Sequence, residues 1–299
     1  MVLPFRREAF GLIPTMATQD KAGASREAIE AHYDVGNEFY RLWLGPTLTY
    51  SCALWAEGDT LESAQERKLD FHARAAACRG ARRILDIGCG WGSMLRRLVD
   101  VHAVQEVVGL TLSPAQRSSV VGMPDPRVSV LLESWRDHEA TIPYDGIISI
   151  GALEHFVQPS FSSADRIRVY RSFFERCRVL LQPDGFLSLQ ASAYSRGGFT
   201  GGAIASIFPE SDLPRLTELI TAAEGVMEIV SLRNDREDYA KTCAAWLERL
   251  RKNRTQALSI VGETVYQRFD RFLESAIKGF RLEVFHLLRM TFKRFDPRP

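Results

Sequence analysis

Two places in the sequence combine residue types able to do chemistry with a spacing that brings them together. In ILDIGCGWG an apolar run ends in Asp86 and is followed at once by Gly88, Gly90 and Gly92. Side chains at those glycines would hold a ligand off the backbone; without them a ligand can lie against the turn, beside the first amides of the helix that follows. Asp86 closes the strand and can hold either the turn or an amino group of the ligand by hydrogen bonds. In SIGALEHF a second apolar run is followed by Glu154 and His155. A carboxylate just beyond a strand stands where ligands of parallel sheets bind, and it is a candidate acid, base or orienting group. His155 either orients Glu154 or is structural.

The glycine turn has two readings. A dinucleotide site needs GxGxxG and an acidic residue about 20 positions on for the ribose. Here the spacing is GxGxG, and the next strand ends in GLTLSPAQ with no carboxylate. Both features count against a nicotinamide cofactor. A metal site is not expected either: Cys52, Cys78, Cys89, Cys177 and Cys243 form no CxxC and lie at no metal-ligand spacing from a histidine. They read as reduced thiols of a cytoplasmic protein. With 38 Lys plus Arg against 37 Asp plus Glu, global charge gives no argument for nucleic acid as a partner. No stretch of about 18 apolar residues occurs, so no membrane-spanning helix is expected.

The elements that must position these residues alternate. Seven segments read as strands: ARRILDI, EVVGLTLS, RVSVLLES, YDGIISIGAL, GFLSLQASA, VMEIVSLRN and RLEVFHLLRMTF. Helices are expected from Ser25 to Leu44 with an interruption at Gly36 and Asn37. A second covers TLESAQERKLDFHARAAACRG, with Leu61, Ala64, Lys68 and Phe71 on one side. Others run from about Ala164 to Leu181 up to the Pro183-Asp184-Gly185 turn, over LTELITAAEG, and around Tyr239–Lys252 and Thr264–Lys278. This order predicts an α/β fold with a seven-stranded, mostly parallel sheet and helices on both faces. Residues 1–24 read as a mobile leader, 25–80 as an N-terminal helical segment, and 81–299 as the sheet domain. Within it, a glycine-rich insertion near 194–224 is expected to cap the substrate pocket, and a helical cover to span 239–278.

The segments HYDVGNEFYRLWLGPTLTYSCALW, ILDIGCGWGS, GLTLSPAQ, SIGALEHF and DYAKTCAAW resemble the cyclopropane fatty acid synthase family, in its short mycolic acid cyclopropane synthase form, from about residue 30 to 290. The resemblance implies a Rossmann-like class I methyltransferase that uses S-adenosylmethionine. Its expected reaction is cyclopropanation or methylation of a carbon–carbon double bond in a lipid acyl chain; a small-metabolite C- or N-methyltransferase is the alternative. It implies that the 25–80 segment closes over the cofactor. Tyr50, Ser51, Gly88, Gly90, Thr111, Leu112, Gln116 and Trp135 would bind it, with Asp86 at the methionine end and Arg136 where the family often has Glu. It implies a bicarbonate ion near Cys52, Ile150, Glu154 and Tyr239, with Gln190 at a position the family gives to histidine. Tyr33, Phe39, Tyr40, Trp43, Phe156, Phe199 and Phe208 are candidate aromatic neighbours of a cationic intermediate. The basic, apolar end FRLEVFHLLRMTFKRFDPRP could touch a membrane surface or a carrier protein, or be a last strand with a solvated tail.

Overall fold

A buried hydrophobic strand with helices before and after it recurs along the chain, and the outcome is one seven-stranded sheet in the order β3-β2-β1-β4-β5-β7-β6. The computed structural model describes residues 23–25, 35–122, 124–195 and 210–296. Most of the expected leader, the start of the first helix and the glycine-rich part of the expected cap (196–209) lie outside the described residues. The strands are β1 Arg83–Ile87, β2 Glu106–Thr111, β3 Val128–Leu132, β4 Tyr144–Ile150, β5 Leu181–Tyr194, β6 Met227–Asn234 and β7 Phe285–Arg294. Neighbours among β1 to β5 pair in parallel, and β7 runs antiparallel to both β5 and β6. The mostly parallel, Rossmann-like sheet expected from the strand and helix order is therefore present.

Each strand side chain faces one of two layers. Leu85, Ile87, Ile147 and Leu187 join the cluster under α5 (Ser163–Leu180) and α6 (Leu216–Ala223). Ile84, Val107 and Ile148 join the cluster under α2 (Leu61–Ala75) and α3 (Ser93–Asp100). A third cluster lies among α1 (Asn37–Leu44), α7 (Arg236–Lys252) and α8 (Arg254–Arg281), which cover the carboxyl edge. A short helix α4 (Pro114–Val121) follows β2.

Several boundaries differ from expectation for identifiable reasons. The interruption expected at Gly36 is present at φ +98, with α1 beginning at Asn37; the expected part of that helix over residues 26–34 lies outside the described residues. α2 starts at a Thr60–Ser63 capping box and buries Leu61, Ala64, Gln65, Lys68, Leu69, His72 and Ala73; Phe71, expected on the inner side, is only half-buried. α5 passes directly into β5 at Leu181, and the Pro183-Asp184-Gly185 turn sits inside the strand as an irregularity in its pairing with β4. Asp184 adopts φ +64 there. The expected helix from Thr264 is the second part of α8, which continues from Arg254 through a non-helical Gly262 at φ +73 and reaches Arg281. The C-terminal apolar run is β7, held between β5 and β6, so its side chains are core rather than a membrane-facing surface. No helix among the described residues is long and apolar enough to cross a membrane.

Close packing between β4 and the end of α2 makes one glycine obligatory. A Cβ at Gly146 would lie 2.4 Å from the Ala76 carbonyl oxygen, and a backbone atom cannot swing aside. Gly146→Ala is expected to cost about 1–3 kcal/mol in urea unfolding. Gly122→Ala, where the nearest atom would be 3.4 Å away, serves as the tolerated control. Equal midpoints for the two variants would contradict this packing.

Candidate active site

The strands end in turns, and the turns create two cavities. Gly88, Gly90 and Gly92 all take positive φ, at +84, +55 and +83. The amides of Gly88 and Cys89 both reach the Leu110 carbonyl, at 3.0 and 2.9 Å, which ties the glycine turn to the end of β2. A Cβ on Gly88 would fall 2.5 Å from Ala152 Cβ, whereas one on Gly90 would meet nothing within 4 Å. Gly88 thus serves packing against the turn after β4, and Gly90 leaves space for a ligand.

The first cavity is lined by Gly88, Gly90, Thr111, Leu112, Gln116, Trp135 and Arg136, together with Ile150, Gly151 and His155. Ser113 accepts from the Gln116 amide at 3.2 Å and caps α4, and Thr111 Oγ1 donates to Gln116 Oε1 at 2.7 Å. This leaves the hydroxyl and amide pair preset at the mouth of β2. The Trp135 ring packs against Phe156 at 5.1 Å between centroids, and the Arg136 guanidinium lies 4.6 Å from the Trp135 ring centre. Gly23 and Ala24 form part of the wall. Ala24 N donates to the His155 carbonyl at 2.9 Å, and Gln158 Nε2 donates to the Gly23 carbonyl at 3.0 Å. The end of the expected leader is therefore anchored at this cavity.

The second cavity is apolar and aromatic. Tyr50, Tyr239, Trp246, Phe272, Phe280 and Phe285 line it, with Glu154 and Ser192 as polar members. Gly151 and His155 belong to both cavities, so they meet at the turn after β4. There the chain passes through Gly151 at φ +70 into a single 3₁₀ turn, Leu153–His155. Glu154 Oε1 accepts from the Ser192 amide of β5 at 2.7 Å. Its other oxygen, Oε2, is buried with no hydrogen-bond partner among the described residues. Burial pushes the Glu154 carboxyl up to about 7, against the pull of the Ser192 amide. His155 Nδ1 lies 2.7 Å from Ser211 Oγ, and burial lowers the imidazole to about 4, so it is neutral near pH 7. Tyr239 stands on the first turns of α7, its ring 4.7 Å from that of Phe280.

The remaining candidates divide. Tyr50 lines the aromatic cavity, and neither Ser51 nor Asp86 lines either one. Ser51 Oγ accepts from Lys68 Nζ at 2.8 Å. Asp86 is buried, which raises its carboxyl, and the charge of Lys68 opposes that rise. Cys52, expected near a bicarbonate ion, is fully buried and lines neither cavity, and burial pushes its thiol up to about 12. Gln190 lies under the aromatic cavity on β5, its Oε1 accepting from Arg289 Nε at 2.9 Å and facing His72 Nε2 at 3.3 Å. Of the aromatic candidates, Phe39, Tyr40 and Trp43 are completely buried in the helical cover, and Phe156 belongs to the first cavity. Tyr33, Phe199 and Phe208 lie outside the described residues. The rings that do line the aromatic cavity come mostly from α7, α8 and β7. Tyr50 and Tyr239 were among the sequence candidates; Trp246, Phe272, Phe280 and Phe285 were not, because at such spacing they read as ordinary core. Also missed was a buried polar stripe of α2, Gln65, Lys68 and His72. Its signal was present: three polar residues at helical spacing among apolar ones.

Comparison with known proteins adds three findings. The family model described as mycolic acid cyclopropane synthetase matches residues 20–290. The chain is 36% identical over 275 residues to cyclopropane mycolic acid synthase 3 of Mycobacterium tuberculosis, covering 85% of this chain and 92% of that protein. Among solved structures, the cyclopropane synthase MmaA2 from Mycobacterium tuberculosis superposes with a TM-score of 0.82 at 32% identity, covering 92% of this chain and all of that one (100%). Mycolic acid cyclopropane synthase CmaA1, complexed with SAH and CTAB, gives 0.81 at 30%, with 92% and 100% covered.

The open space at Gly90 yields a direct test. Gly90→Asp puts a carboxylate into the first cavity with no atom within 4 Å of its Cβ, at a left-handed φ of +55 that Asp tolerates better than most residues. Calorimetry should show S-adenosylmethionine binding weakened by about 100-fold or more, since an unpaired charge would face the ligand. The melting temperature should shift by only a few degrees. Undiminished binding would remove the first cavity as the cofactor site.

Proposed function

Because the chain belongs to the mycolic acid cyclopropane synthetase family and is an S-adenosylmethionine-dependent methyltransferase, we propose that it adds the cofactor's methyl group to a carbon–carbon double bond of a lipid acyl chain. The observation that carries this reading is the junction of the two cavities at Gly151 and His155, one fitted for a nucleoside and the other apolar and aromatic. Gly88, Gly90, Thr111, Leu112, Gln116, Trp135 and Arg136 hold the cofactor, which supplies an electrophilic methyl on sulfur. The apolar walls take an acyl chain, in keeping with the CTAB bound by CmaA1. Their main task is alignment: holding the alkene in line with the methyl–sulfur bond is the largest contribution available to a site of this kind.

Attack by an alkene places a positive charge on carbon. The aromatic rings of Tyr50, Tyr239, Trp246 and Phe280 line the cavity where that charge develops. Loss of a proton from the transferred methyl carbon then closes a cyclopropane ring, whereas loss from an adjacent carbon leaves a methylated alkene. Glu154 is the carboxylate best placed to govern that proton. Its unpaired Oε2 also fits a bicarbonate ion, which would be held by Glu154, Tyr239 and the Gln190 amide and would supply a small mobile base. All five cysteines are buried free thiols, which supports a reducing compartment such as the cytoplasm.

Two measurements test this reading. Mass spectrometry of lipids from cells with and without the gene should show acyl chains heavier by one CH₂. A mass gain confined to amines or other small metabolites would replace the lipid reading with the small-molecule one. With purified enzyme, turnover should rise as pH passes about 7, where Glu154 ionises, and should increase when bicarbonate is returned to carbonate-depleted buffer. Glu154→Gln should lower turnover by about 100-fold or more and leave cofactor affinity within about threefold. Collapse of cofactor affinity in that variant would reassign Glu154 to cofactor binding.

A further inference from the structure

Beneath the aromatic cavity is a buried polar cluster drawn from three distant elements of the chain. On β5, Ser188, Gln190 and Ser192 point to the same face by strand alternation. Ser192 reaches the cavity, and Gln190 lies one step deeper. From α2, His72 spans the two deeper residues, with Nδ1 2.8 Å from Ser188 Oγ and Nε2 3.3 Å from Gln190 Oε1. From β7, Arg289 places Nε 2.9 Å from the same Oε1. Arg289 is only 1% exposed, and its remaining nitrogens reach Asp235, the Ala53 carbonyl at 2.9 Å and the Cys52 carbonyl at 3.3 Å.

The donor inventory settles the orientation of every group. A guanidinium only donates, so the Gln190 atom beside it must be the carbonyl oxygen and not the NH₂. An amide oxygen only accepts, so His72 must carry hydrogen on Nε2. A neutral imidazole then accepts from the Ser188 hydroxyl through Nδ1. Burial keeps it neutral, with Arg289 and then Lys68 opposing a second proton, against a weaker opposite pull from Gln190. The charged groups near it are Lys68 on its own helix, Arg289 on β7 with its partner Asp235, and Asp86 of β1, which interacts with Lys68. Both Gln190 side-chain hydrogen bonds to described residues end on Oε1. His72 bridges toward Ser188, the side of Gln190 away from the cavity. Both bonds therefore hold the oxygen on the His72 and Arg289 side of the amide, and the NH₂ takes the other side.

We propose that Arg289 and His72 are positioning residues that lock the Gln190 amide, so that it presents only hydrogen-bond donors to the floor of the reaction cavity. The inference rests on the reading of that cavity as the site of methyl transfer. A donor fixed there complements a negative or carbonyl oxygen beside Glu154. Because its orientation comes from a permanently charged guanidinium and a neutral imidazole, it does not change with pH across the working range.

The test combines a spectroscopic and a kinetic arm on the full chain. Long-range proton–nitrogen NMR of histidine-labelled protein, with the His72 signals assigned by their loss in His72→Asn, should show a neutral ring protonated at Nε2 and unchanged from pH 6 to 8. The opposite tautomer, or titration in that range, overturns the proposal. In the kinetic arm His72→Leu removes the donor to Gln190 and His72→Asn restores one. His72→Leu should lower kcat by about tenfold with KM for S-adenosylmethionine within about twofold, and His72→Asn should recover most of that loss. Equal losses that follow the melting temperatures would mean a merely structural role and overturn it. If the wild-type chain modifies no acyl chain, the reading of the reaction fails, while the tautomer result still decides the orientation of Gln190.

Discussion

The site depends on one constraint, the reversal of the chain after β4. Gly151 adopts φ +70, a conformation that side-chain-bearing residues avoid. The single turn that follows sends Glu154 onto the backbone of β5 and leaves His155 bordering both cavities. Pairing of Ile150 with Gln190 in the parallel ladder sets the height of that turn relative to β5. A one-residue slip would turn Gln190 and Ser192 to the opposite face, away from the aromatic cavity. The packing of Ala152 against Gly88 carries the same constraint to the glycine turn after β1.

Buried charge reinforces this geometry from both sides of the sheet. On the α5 side, Arg166 is clamped between Glu218, Asp212 and the Leu213 carbonyl, and Tyr194 donates to Asp212 at 2.9 Å. The Asp212 amide in turn donates to the Glu154 carbonyl at 3.1 Å. On the α2 side, Lys68, His72 and Arg289 fill the space below the aromatic cavity. Removing one partner of the Arg166 pairs leaves an unpaired buried charge, at a cost of about 3–5 kcal/mol. These networks are better understood as devices that fix orientation than as sources of net stability.

The N-terminal segment belongs to the site. A Cβ at Gly23 would lie 2.3 Å from the His155 carbonyl oxygen, so this point of contact requires glycine. Ser25 N donates to Glu210 Oε2 at 2.9 Å. Residues from the beginning of the chain therefore touch both the turn after β4 and the segment entering α6. The wall that Gly23 and Ala24 give the first cavity and the placement of Ser211 opposite His155 thus meet at the turn after β4.

Local patterns in the sequence determined the seven strands, the parallel core, the glycine turn and the position of Glu154 beyond β4. Each arises from residues a few positions apart, whose burial and backbone needs follow from a period of 2 or 3.6 or from glycine's freedom at positive φ. The resemblance added the cofactor and the reaction class. Tertiary structure decided everything that depends on pairing across the chain. His72 and Gln190 are 118 residues apart, and Arg289 is 237 from Cys52. Nothing in the local pattern of Phe285–Arg294 tells a strand carrying a buried arginine from a basic, membrane-facing end, because both alternate apolar and charged residues. Only insertion of β7 between β5 and β6 places that guanidinium against an amide oxygen. The Gln190 amide, whose two ends are equivalent in the sequence, has its oxygen fixed on Arg289 because an arginine can only donate.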